Sequence, residues 1–518
     1  MVRILSITPT RVPLRRYVPI LTATLALVTA ACGNGAAAQS AESTTTAAPV
    51  QASTTTSSLA TSEETAPEEE PTFVGEFAIE PAAGPIGTAV TARGAGFDPD
   101  TELTVAWEDT TATWNVDLLE GKFYGREFTS EAEPLTSVRT DASGAFEAQF
   151  TVPSDFGFTH NVTVHQGDEQ LNRAAFRTDM EMTISPTSGP VGTPITLQVR
   201  GMGYGYLENS WQLTYDNSYT GWVSAVTTDG SATAVITATG APGPHVIQLT
   251  HGWSHVPYLN NQQSPRPDRP IFTFEFTVTD EPAVMPAPAE EQGLPISFGS
   301  RPTDNGEPAI WTDIASGPVG TPVTISGHNL PTEALALIWY RQEGSRVSGG
   351  GWSEVGIDLG TATPTADGTL SFEFAALDDL GGPHRIEAML GETLVATTAF
   401  DIKPSAIAVE NGVGPVGTMA LFHVKGVGWT ETANIYTVVY DNAYVGFACG
   451  FNSQGDIQIY LPLAGEPGYH FVDFYPAIYR GEDIRGAVNF RLPQLTYADD
   501  HPGEVLPAFR FVVEVTDE

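Results

Sequence analysis

The chain has 518 residues, with 23 Lys and Arg against 62 Asp and Glu and a formal charge of −39. That balance excludes nucleic acid and anionic membrane surfaces as natural partners, since both require a basic face, and the two cysteines exclude a disulfide scaffold or a four-cysteine zinc site. With 51 Gly, 39 Pro and 10% aromatic residues, the composition is that of a folded, turn-rich, all-β chain long enough for several cores.

In chain order, residues 1–31 come first, with Arg3, Arg11, Arg15 and Arg16, no acid, and an apolar run from Val18 to Ala31. The run is too short to span a bilayer and has the layout of a secretory signal. Its end, Leu27-Val28-Thr29-Ala30-Ala31-Cys32-Gly33, resembles a bacterial lipoprotein cleavage box. The resemblance implies lipid on Cys32 and an exported protein held at the cell membrane, facing the extracellular side or the periplasm. Plain secretion with Cys32 incidental is the other reading. Residues 32–72 are Ala, Ser, Thr, Pro and Glu with almost nothing to bury, so a disordered tether is expected there.

The rest of the chain is a repeat. Gly84-Pro85-Ile86-Gly87-Thr88 recurs at Gly189–Thr193, Gly317–Thr321 and Gly414–Thr418. Each copy leads into a strand with a large central aromatic, Trp107, Tyr215, Trp339 and Tyr440, and later into a histidine that opens another strand, His160, His245, His384 and His470. Second aromatics follow at Trp114, Trp222, Trp352 and Phe447. Proline fixes φ in the first turn, glycine supplies positive φ, and period-two alternation buries one face of each strand. Four copies of one histidine at one strand start point to a shared packing or hydrogen-bonding role.

This order of elements, at roughly 100 residues per copy, resembles the IPT/TIG family of immunoglobulin-like domains. The resemblance implies four tandem immunoglobulin-like β-sandwiches, at residues 73–180, 181–281, 304–403 and 404–518, with 282–303 as a linker. Family members serve as adhesion modules and spacers, so the fold does not name a ligand. Repeats two and four share Tyr-Asp-Asn-x-Tyr, at Tyr215–Tyr219 and Tyr440–Tyr444, and both end Val-Thr-Asp-Glu. Repeats one and three lack both features. The duplicated unit is therefore a two-domain pair.

The ligand-binding candidates follow from that difference. Asp216, Asn217, Asp441 and Asn442 suit hydrogen bonding to sugar hydroxyls, with Tyr219 and Tyr444 as stacking rings. The competing reading makes Asp-Asn a turn and packs the tyrosines over the sandwich edge. Long loops add Trp253, Tyr258, Tyr475 and Tyr479, on binding loops or on edges that dock a neighbour. His251 with His255, and Asp499-Asp500-His501, lack metal spacing. No cofactor is expected, the alternatives being a metal on those two clusters and calcium at Asp98/Asp100/Glu102 or Asp378-Asp379. Cys449, in an apolar run, is expected to be a buried strand residue. No catalytic motif is present. The expectation is a non-enzymatic, lipid-anchored adhesion protein that binds an extracellular glycan or surface protein through repeats two and four, the alternatives being a structural spacer without a ligand and, as a minor one, a cell-surface enzyme.

Overall fold

The computed structural model describes residues 73–117, 122–205, 209–253, 255–264, 269–345, 351–483, 486–488 and 490–518, so the leader, Cys32 and the tether lie outside the described residues. Among the described residues the regular secondary structure is nearly all β-strand. Each repeat places a three-stranded sheet against a larger one. In repeat one the small sheet joins Glu76–Glu80, Ala89–Ala95 and Phe146–Thr151, while Glu169–Thr178, Phe158–Gln166, Glu102–Asp117 and Lys122–Arg139 run in that order through the large sheet. The same order recurs in the other repeats. Trp107, Tyr215 and Trp339 are fully buried between their sheets, as alternation and size require.

The recurring Gly-Pro motif is where the chain crosses from one sheet to the other. Just before or within it, a short strand pairs parallel with the last strand of its repeat: Ala83–Gly84 with Arg177–Thr178, and Val413–Pro415 with Glu514–Thr516. The second glycine turns the chain at positive φ in all four copies (Gly87 86°, Gly192 88°, Gly320 81°, Gly417 93°). A Cβ on the first glycine would lie 2.5–2.7 Å from the Thr Oγ1 that closes the motif. That Thr folds back on the proline carbonyl, at 2.6 Å in repeat one and 2.7 Å in repeat three. Glycine and threonine are thus two halves of one turn.

One expectation gains detail and one needs correction. The stretch read as a linker is docked: Ala289 is buried in the core of repeat four, and the Gln292 side chain donates to Arg510 O and accepts from Arg510 N (2.8 and 2.7 Å). A run of Pro, Ala and Glu can supply such contacts because it needs only one small apolar side chain and one amide. Cys449, on the strand Ala443–Cys449, is half-buried, because that strand is the edge of its sheet.

Candidate functional site

The histidine at each strand start makes one contact in common. Its Nε2 meets the carbonyl oxygen four residues earlier: Phe156 (2.8 Å), Ala241 (2.8 Å), Leu380 (2.7 Å) and Glu466 (2.8 Å). Its ring packs against the central aromatic, as in Trp107–His160 at 4.7 Å and Trp339–His384 at 4.5 Å. The expected shared packing role is what the geometry shows.

The carboxylate beside that ring has two origins. In repeats one and three it sits five residues before the histidine, where Asp155 and Asp379 accept from the central indole Nε1 (2.7 and 3.0 Å). In repeats two and four that position is Gly240 or Gly465, and a Cβ there would lie 2.6 or 2.3 Å from the histidine Cε1. The carboxylate comes instead from the Tyr-Asp-Asn turn. Asp216 Oδ1 accepts from Val246 N (2.9 Å) and Oδ2 lies 2.5 Å from His245 Nδ1. Asp441 does the same with Phe471 N (3.0 Å) and His470 Nδ1 (2.5 Å). The Asp441 carboxylate holds the His470 pKa above its ordinary value.

The Asp-Asn pair is a two-residue hairpin turn with both residues left-handed (Asp216 47°, Asn217 64°, Asp441 46°, Asn442 62°). Beyond it the two motifs meet. Tyr219 and Tyr444 occupy equivalent positions, and their rings pack edge to face at 6.3 Å. Thr220 Oγ1 donates to Asn442 O (2.7 Å), and Asn442 Nδ2 donates to Thr237 O (2.8 Å) and Thr239 Oγ1 (3.0 Å). The phenols end on carbonyls, Tyr219 on His255 O (2.6 Å) and Tyr444 on Arg491 O (2.7 Å). Burial pushes the Tyr444 phenol up to about 12 and Tyr219 well above its ordinary value.

The sequence candidates therefore part into groups. Asp216, Asp441 and Asn442 are turn and seam residues, and Tyr219 and Tyr444 are half-buried and pack edge to face on each other. Tyr475 is buried in the core beside Tyr497. Tyr479 is half-buried, edge-on to Phe451 at 5.3 Å, with the Arg491 guanidinium 4.3 Å from its ring centre. Asn217 is exposed and Tyr258 half-buried, while the side chain of Trp253 lies outside the described residues. His251 and His255 face Ser264 and Ser210 hydroxyls (3.0 and 2.7 Å). Asp378 pairs with Lys425 while Asp379 turns inward, so that calcium candidate divides. Among the described residues, no three His, Cys, Asp or Glu side chains converge as a metal group.

A buried polar constellation forms at Asp500, and sequence reasoning missed its role as a junction. Asp500, in the short helical turn Tyr497–Asp500, is buried and accepts five donors from two other repeats. These are Ser224 Oγ (2.6 Å), Val226 N (2.9 Å), Thr227 N (2.8 Å), Thr227 Oγ1 (3.0 Å) and Trp114 Nε1 (3.1 Å). Burial raises its carboxyl pKa in spite of those donors. Beside it lies an apolar cluster of Trp114 and Phe123 from repeat one, Trp222 and Val226 from repeat two, and Ile478 and Phe490 from repeat four. Glu431 of repeat four accepts from Phe123 N (3.1 Å) and Arg480 Nε (3.2 Å). The long hairpin Glu102–Asp117/Lys122–Arg139 carries repeat one to this junction.

No family model matches the chain, and no curated protein does. Solved structures do. Escherichia coli alpha-2-macroglobulin matches at 11% identity over 84% of this chain and 30% of its own (TM-score 0.16). The E. coli adhesin FdeC matches at 13% over 63% of this chain and 96% of its own (TM-score 0.16). A Corynebacterium diphtheriae protein titled a putative membrane anchored protein matches at 12%, over 63% and 89% (TM-score 0.17). This chain spans about a third of the native E. coli and the Salmonella macroglobulin chains. The likeness is one of fold alone.

Proposed function

We propose that this chain is an exported, non-catalytic binding protein of the IPT/TIG type, anchored through lipid on Cys32, whose welded repeats present a fixed surface to an extracellular glycan or protein. The junction at Asp500 carries the reading. Repeats one, two and four all meet there, so they do not form an end-to-end row, which is the arrangement a spacer without a ligand would favour. Fixing several surfaces relative to one another lowers the ordering cost of recognition. Recognition falls to faces outside the Tyr-Asp-Asn seam, because the seam consumes its own tyrosines.

The test is a binding screen of the purified protein against envelope glycans and surface proteins, with Tyr219→Phe and Tyr444→Phe in parallel. A specific signal that both variants retain supports the reading, and its absence from all three favours the spacer. Lipidation has a separate check: Cys32→Ser should move the protein from the membrane fraction to the soluble one, and unchanged membrane association would contradict the anchor.

A further inference from the structure

Between repeats one and two a cleft of about 470 Å³ is lined by Ile86 and Ser154 from repeat one, Gln198, Arg200 and Ser231 from repeat two, and Asp499 from repeat four. Its volume is in the range of small-molecule sites. The second pair supplies a control. The shared motifs align Ser154 with Asp378, Gln198 with His423, Arg200 with Lys425 and Ser231 with Asp456. In the second pair Lys425 Nζ is bonded to Asp378 Oδ2, and His423 Nε2 to Asp456 Oδ1. Two carboxylates thus satisfy the two basic groups at that seam. In the first pair both carboxylates are serines, yet the cation is kept. Arg200 forms no ion pair among the described residues, although Glu181 lies opposite it in strand register. A cation kept without its counter-ion stands out in a chain with 23 basic and 62 acidic residues.

We propose that this cleft binds a hydroxylated monocarboxylate, the chemistry of an acidic sugar residue such as a uronate. The guanidinium pairs with the ligand carboxylate through two parallel hydrogen bonds. Ser154, Gln198 and Ser231 both donate and accept, as sugar hydroxyls require. Asp499 accepts from a ligand hydroxyl and repels a second negative charge, which sets the site against sulfate and phosphate. The inference rests on the binding reading above and names a substrate class for it.

Calorimetric titration of the purified full-length protein with glucuronate tests it. A saturable isotherm is expected with glucuronate at about 10 mM, enough to fill a site with a Kd near 1 mM. Glucose, acetate and sulfate should bind at least about tenfold more weakly, since each lacks the carboxylate or the hydroxyls or adds a charge. Arg200→Ala, and Ser154→Asp combined with Ser231→Asp, which installs the carboxylates of the second pair, should each lower affinity by about tenfold or more. Tighter binding of an oligosaccharide ending in glucuronate would identify a glycan chain, and equal binding the free acid. No saturable heat with glucuronate, or equal affinity in the double aspartate variant, overturns the proposal. If the envelope screen still finds a ligand, the cleft assignment falls alone; if both fail, the binding reading falls with it.

Discussion

Residues 73–281 and 304–518 are built on one plan and diverge between their repeats rather than within them. Both keep the Gly-Pro turns, the histidine on its carbonyl and a carboxylate beside its ring. They part where a second aromatic leaves the sandwich. Trp114 crosses to repeat four and donates to Asp500 O (2.9 Å), whereas Trp352 packs on Trp429 and Phe451 of the adjoining repeat (5.9 and 6.2 Å). They part again at the seam cleft, where one pair has the Lys425–Asp378 ion pair and the His423–Asp456 hydrogen bond and the other has serines. Residues that satisfy backbone groups have little freedom, because an unpaired buried donor costs about 1–3 kcal/mol. Residues that join repeats answer only to their partners, and the two pairs have different partners.

The largest effect expected is at the junction where repeats one, two and four meet. Trp222→Ala removes a fully buried indole from the cluster shared by three repeats, and about 3–5 kcal/mol should be lost in urea unfolding. Phe447, its half-buried counterpart in repeat four, should cost clearly less on the same change. Equal losses would break the distinction between the pairs.

A smaller effect is expected at the Asp441–His470 contact as pH changes. The raised His470 pKa means that this contact stabilises the fold fully below the ordinary imidazole value, about 6.5, and that the contribution is lost as pH rises through the raised value. Asp441→Asn should return the His470 titration, followed by NMR, toward the ordinary range and flatten that part of the stability profile. An unshifted titration would remove Asp441 from its assigned place. Smallest of all is the stability change on Ser154→Asp with Ser231→Asp, expected within about 1 kcal/mol because exposed ion pairs contribute little. Thermal melts would show it, and a loss of several degrees would mean the serines hold the seam.

The repeats, the turns and the shared histidine were legible because each depends on residues close in sequence. The Tyr219–Tyr444 seam was not, since an exposed tyrosine and one that packs on its own duplicate look alike in a linear chain. One signal was available: repeats two and four exchange the aspartate five residues before the histidine for Gly240 or Gly465 and gain Asp216 or Asp441 in the turn. That compensation marks the motif as structural. Asp500 carried no such signal, because its donors lie more than 270 residues away along the chain.

Hydrogen exchange at the amides of Val226 and Thr227 tests the three-way junction most directly. Both donate to the carboxylate of Asp500 (2.9 and 2.8 Å), which belongs to repeat four. They should be strongly protected in the intact protein and exchange freely in Asp500→Ala, while the amides of residues 195–200 keep their protection. If Val226 and Thr227 exchange at the same rate in both proteins, the repeats are not joined at Asp500.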